Sequence, residues 1–165
     1  MKARKIMLWF LCFALIFCIG CAKEEKRQAY IYFYFIPEFN INEFNEVKYA
    51  KENGFISVQN VQDTYLIATM SESRYNEFME EKRQIAIDSI NNCLCSYVTK
   101  IECNEDFTEN TIYVKSETYK NTFDLTETSI IANANCFQTM FGIEPSCKIT
   151  VIDCDTGEVV SSYTK

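Results

Sequence analysis

The sequence predicts an α+β fold. A largely antiparallel sheet carries helices packed on one face, in the order β-α-ββ-α-ββ-α-ββ. Three observations point there. Segments with alternating apolar residues come in neighbouring pairs, joined by turn residues such as Asn60-Val61-Gln62-Asp63, Asn104-Glu105-Asp106 and Asp155-Thr156-Gly157. Strands linked by such short turns pair antiparallel. Segments with a helical repeat separate these pairs, and each carries a cap or stop residue.

Residues 30–36 read YIYFYFI, aromatic and β-branched throughout, and Pro37 ends the run. This composition predicts a buried strand, because large apolar runs usually lie inside. The other reading is an exposed aromatic platform for glycan or peptide. Residues 42–53 predict a short helix with Phe44, Val47 and Ala50 on its inner side, and Gly54 supplies the left-handed stop. Residues 55–59 and 65–69 form the first hairpin.

Residues 71–93 predict the longest helix. Ser71 caps it, and Glu72 suits the positive end of the helix dipole. Tyr75, Phe78, Met79, Ala86, Ile90 and Cys93 make its buried stripe, while Glu77, Glu80, Glu81, Lys82 and Arg83 lie mostly toward water. Residues 96–103 and 111–115 form the second hairpin. Residues 124–141 predict the third helix, in which Asp124 and Glu127 fit a capping box. Ile130, Ala134, Phe137 and Phe141 face the core, and Gly142 stops the helix. Residues 147–154 and 158–163 are the last hairpin. The alternation of strand pairs and helices hints at an internal duplication.

Ahead of this domain stands a different kind of segment. Lys2, Arg4 and Lys5 open the chain, and the fifteen residues from Ile6 to Gly20 carry no charge. Positive charge stays on the cytoplasmic side during insertion, and an apolar run this short suits a signal peptide better than a spanning helix of about 20 residues. At Ala22-Lys23-Glu24-Glu25-Lys26-Arg27 the chain turns abruptly polar.

The stretch Cys18-Ile19-Gly20-Cys21 resembles the cleavage box of bacterial lipoprotein signals, with Cys18 in place of the usual leucine. The resemblance implies cleavage between Gly20 and Cys21 and a diacylglyceryl group on the Cys21 sulfur. Bulky Leu11 and Phe17 precede Cys12 and Cys18 and make these poor substitutes. An uncleaved anchor helix and a soluble secreted form are the other readings, and all three place the folded part outside the cytoplasm. Residues 1–20 are then the signal, 21–29 the lipidated cysteine and a charged tether, and 30–165 the single domain. The seven residues 22–28, fully extended, reach at most about 25 Å from the cell membrane. Two acyl chains hold a protein firmly, where one binds only marginally.

The frame Glu52-Asn53-Gly54-Phe55, Tyr65 with Ala68-Thr69-Met70-Ser71, Lys100-Ile101-Glu102, Asn104-Glu105-Asp106-Phe107-Thr108 and Asp155-Thr156-Gly157-Glu158 resembles an uncharacterised family of small exported lipoproteins of Gram-positive bacteria. It covers most of residues 40–160. These are turn and cap residues, and the resemblance implies no activity and no functional residue.

The 165-residue chain carries a net charge of −7, and without the three cations of its first 20 residues the remaining 145 carry −10. A domain this acidic repels nucleic acid phosphates and anionic headgroups, so the lipid on Cys21 must hold it to the membrane. Beyond Cys21 lie Cys93, Cys95, Cys103, Cys136, Cys147 and Cys154. Outside the cytoplasm this even count permits three disulfides. It is equally consistent with free thiols packed as small apolar groups.

The chain has no histidine. That removes Ser-His-Asp and Cys-His catalysis and His-ligated zinc. The four scattered glycines form no phosphate loop, and no cofactor motif is present. Cys93-Leu94-Cys95 could set two thiolates on one strand face, for a metal or for redox work. Asp153-Cys154-Asp155-Thr156-Gly157-Glu158 resembles a fragment of a calcium loop, but the full loop needs more oxygens, and Asp and Gly in a hairpin turn are the ordinary explanation. The reading that best fits these residues is a non-catalytic binding or interaction module at the outer membrane face, its partner a protein or wall ligand. The alternative is a carboxylate-based hydrolase of wall glycan.

Overall fold

The computed structural model describes residues 25–33, 44–119 and 125–165. The signal segment, the Gly20-Cys21 pair, Pro37, Asp124 and residues 34–36 of the aromatic run lie outside the described residues. The fold is α+β, and the strands are mostly antiparallel.

The strands divide between two sheets rather than forming one. The first sheet holds β1 (Lys26–Tyr32), β2 (Ser57–Val61) and β3 (Tyr65–Ser71), in the order β1-β3-β2, all antiparallel. The second holds β4 (Val98–Cys103), β5 (Glu109–Val114), β6 (Lys148–Asp153) and β7 (Val159–Thr164), in that order. Here β5 and β6 run parallel, with Ile112 opposite Val151. Parallel neighbours need a crossover, and helix α3 (Leu125–Phe141) supplies it. The other helices are α1 (Glu46–Glu52) and α2 (Glu72–Asn91).

The order of elements is the expected one, and several of the caps act as expected. The Ser71 hydroxyl accepts the Arg74 N–H at 3.2 Å and starts α2. Gly54 at φ +69 ends α1, with the Phe55 N–H reaching back to the Ala50 carbonyl at 2.8 Å. Gly142 at φ +67 ends α3 in the same way, through Ile143 to the Gln138 carbonyl at 2.8 Å. These bonds satisfy carbonyls that a helix end otherwise leaves open.

Other expectations need correction. Strand β1 begins at Lys26, so residues 26–29 of the expected tether belong to the sheet, and Ala29 is fully buried. Val47 is 79% exposed, because α1 turns Tyr49 and Ala50 inward instead. Cys93 lies past the end of α2 and is exposed.

The core is continuous. Burial alternates along β3, β5 and β6, so each sheet buries one face, and Leu66, Ala68 and Met70 of the first sheet share one core cluster with Ile112, Val114, Ile149 and Val151 of the second. A row of rings crosses between them. Phe55 meets Phe78 at 5.3 Å, Phe78 meets Phe141 at 5.9 Å, Phe141 meets Phe137 at 4.9 Å, and Phe137 meets Phe107 at 5.2 Å. Offset and edge-on ring pairs of this kind add to the burial energy.

Candidate functional site

Helices α2 and α3 pack side by side, and between them runs an apolar groove of about 340 Å³. From α2 come Lys82, Ile85 and Ala86, and from α3 come Asn133, Cys136, Phe137 and Met140. Ile85 is 58% exposed and lies on the rim of the groove. The floor is the outer edge of the core, since Phe137 and Met140 are buried.

Lys82 is the cation at this groove. Its ammonium lies 5.1 Å from the centre of the Phe78 ring. Loss of water lowers its pKa, and neighbouring Glu81 partly offsets that shift. The Cys136 thiol is pushed up by burial, which keeps it protonated and unreactive. The Asn133 amide is anchored, donating to the Ser129 carbonyl at 2.8 Å and to the Ser89 hydroxyl at 3.2 Å. The groove can therefore take an apolar group and place an acidic one beside Lys82. It brings together no activated nucleophile and base.

Sequence reasoning set Lys82 on the wet side of α2 and passed over Ile85. The signal was present: Ile85 is a large aliphatic residue lying off the buried stripe of a long charged helix.

The residues singled out in the sequence are placed elsewhere. Glu127 is the described member of the expected capping box, and it is buried. It is 3% exposed, and its Oε1 accepts the Tyr119 hydroxyl at 3.1 Å while its Oε2 accepts the Tyr163 hydroxyl. Cys93 and Cys95 sit in the loop before β4, not on a strand face. Thr126 of α3 holds that loop, its hydroxyl accepting the Cys95 N–H at 3.0 Å and donating to the Cys93 carbonyl at 3.0 Å. All six described cysteines are free thiols, with Cys147 buried and Cys154 exposed. Burial pushes the Cys103 thiol up to about 11.

Asp153 does turn work rather than cation work. Its Oδ1 accepts the N–H groups of Asp155 at 2.7 Å and Thr156 at 2.9 Å, and Gly157 closes the turn at φ +76. The Ser116 hydroxyl, with these two N–H groups, holds the carboxyl down to about 2. Among the described residues no cluster of three or more Cys, Asp or Glu side chains is placed to hold a metal. Among the described residues the carboxyl groups that depart from ordinary values, Glu81, Glu102, Asp106 and Asp153, all move downward, each toward a hydrogen-bond donor. Among the described residues no helix is long and apolar enough to cross a membrane.

No family model, curated protein or solved structure matches the chain.

Proposed function

We propose that the chain is an exported lipoprotein, anchored through Cys21 at the outer face of the cell membrane, where it acts as a non-catalytic binding module. The location rests on the cationic start, the short apolar run and the Gly20-Cys21 pair. The binding role rests on one observation, the α2–α3 groove with Ile85 exposed on its rim and half-buried Lys82 beside it. The partner that fits is an apolar side chain or tail next to a carboxylate. A glycan hydrolase instead needs one acid held above its usual range, to donate a proton. Among the described residues the shifted carboxyls run the other way.

The test of the anchor is a Cys21→Ser variant of the full chain, followed by palmitate labelling, precursor size and detergent partitioning. The unsubstituted protein should take up label, lose the signal and enter the detergent phase. The variant should lose the label and stay at precursor size. A variant that still carries label would overturn the anchor.

A further inference from the structure

The four edge strands of the two sheets are not alike. An open edge offers unpaired N–H and C=O groups to any other strand, and proteins usually blunt it with charge or a bulge. Strand β1 starts Lys26-Arg27, with Arg27 paired to Glu72 at 3.0 Å. On β2 the Asn60 N–H is taken by the Glu46 carboxylate at 2.8 Å. Strand β4 carries Lys100 and Glu102 and a register break between Val98 and Lys100. Strand β7 reads VVSSYT and has no charge at all. Val159 is 62% exposed and Val160 is 37% exposed. Among the described residues no strand pairs with the outer side of β7.

We infer that β7 is a self-pairing edge, through which two copies of this chain join their four-stranded sheets around a two-fold axis. The backbone limits the register. Lys165 exchanges both its backbone bonds with Cys147, at 2.9 and 3.0 Å, so its N–H and C=O point inward to β6. Direction alternates along a strand, so Ser162 and Thr164 point theirs outward. A two-fold axis normal to the sheet keeps the buried faces on one side, so inward-facing side chains must oppose inward-facing ones. Of the registers that meet both conditions, the one that pairs the most outward-facing positions sets Ser162 against Ser162 of the second copy, and Thr164 against Val160. The bulge at Val160, where Val151 pairs with Ser161 but Ile152 with Val159, bends the start of the strand and confines the pairing to the stretch from Val160 onward.

Charge favours the same antiparallel arrangement. The turn before β7 carries Asp155 and Glu158, and the far end of β7 carries Lys165, with Lys148 one strand in. Antiparallel pairing lays the acidic end of each copy beside the basic end of the other. A six-residue edge buries less than the roughly 1,000 Å² of a stable interface, so the pairing is a weak, reversible one.

The experiment is Ser162→Cys in the full chain expressed in bacteria. Opposed hydrogen-bonded residues sit about 5.5 Å apart at Cα, within the range a disulfide spans. Copper–phenanthroline takes the two electrons as two thiols lose their protons and join. On a non-reducing gel, Ser162→Cys should yield a species of twice the monomer mass, above the background that the native cysteines give in the parent. Val160→Cys and Thr164→Cys should each give none alone and should cross-link when co-expressed. Far-UV circular dichroism matching the parent confirms that these exposed substitutions leave the fold intact. Dimer no higher than the parent's background, or cross-linking equally strong from all single positions, would overturn the inference, as would an adduct only to another protein.

Discussion

At the scale of single residues, the informative ones hold backbone in place. Phe107 has φ +60, a left-handed conformation that costs a bulky residue roughly 1–2 kcal/mol. Its ring is fully buried against Phe137, and the Asn110 amide donates to its carbonyl at 2.7 Å. That burial outweighs the strain, because placing a phenyl ring out of water is worth about 1.5–3 kcal/mol. Asp153 plays a similar part in the β6–β7 turn, and its charge makes the effect measurable. Its folded pKa of about 2 lies below the ordinary carboxylate value. Its contribution to stability is therefore complete above pH about 4 and is lost as the pH falls toward 2. Urea midpoints across this range should drop on acidification. Asp153→Asn should be less stable at neutral pH and should fall less steeply in acid. An unchanged acid slope would show that the turn does not depend on this carboxylate.

At the scale of elements, local chemistry explains what was legible in the sequence and what was not. Helix α2 was readable because its signals are local. Ser71 accepts an N–H of the first turn, Glu72 sits at the positive end, and Phe78, Ala86 and Ile90 recur at helical spacing. Ser71→Ala should cost about 1 kcal/mol, read as a lower thermal midpoint with the cooperativity of unfolding retained. A loss near zero would mean that Arg74, bonded to the Asn53 carbonyl at 3.0 Å and to Glu81 at 2.8 Å, fixes the start of the helix alone. The misreadings have a shared cause. Val47 has the spacing of a core residue, yet which side of a short helix turns inward depends on what comes to meet it. The burial of Glu127 was not legible either, because Tyr163 reaches it from β7, joining Tyr119. The groove was hidden for the same reason. Ile85 becomes meaningful only once α3 lies beside α2.

At the scale of the whole molecule, the hairpins followed from short turns, but the β5–β6 pairing and the division into two sheets did not. A parallel pair brings together residues separated by an entire helix, and no local signal encodes it. The division raises the question of whether the two sheets are independent units. The ring row argues that they are one. Phe141, 7% exposed, touches Tyr75 at 5.5 Å and Phe78 at 5.9 Å on one side and Phe137 at 4.9 Å on the other. Removing it opens a cavity where the halves meet. Phe141→Ala should cost about 3–5 kcal/mol. Hydrogen exchange decides how that loss is shared. The amides of Leu66 in β3 and Val151 in β6 should both lose protection, and by a similar factor, because a single cooperative core opens as a unit. If Leu66 is deprotected while Val151 keeps its parental rate, the two sheets unfold separately, and α2 and α3 join them without coupling them.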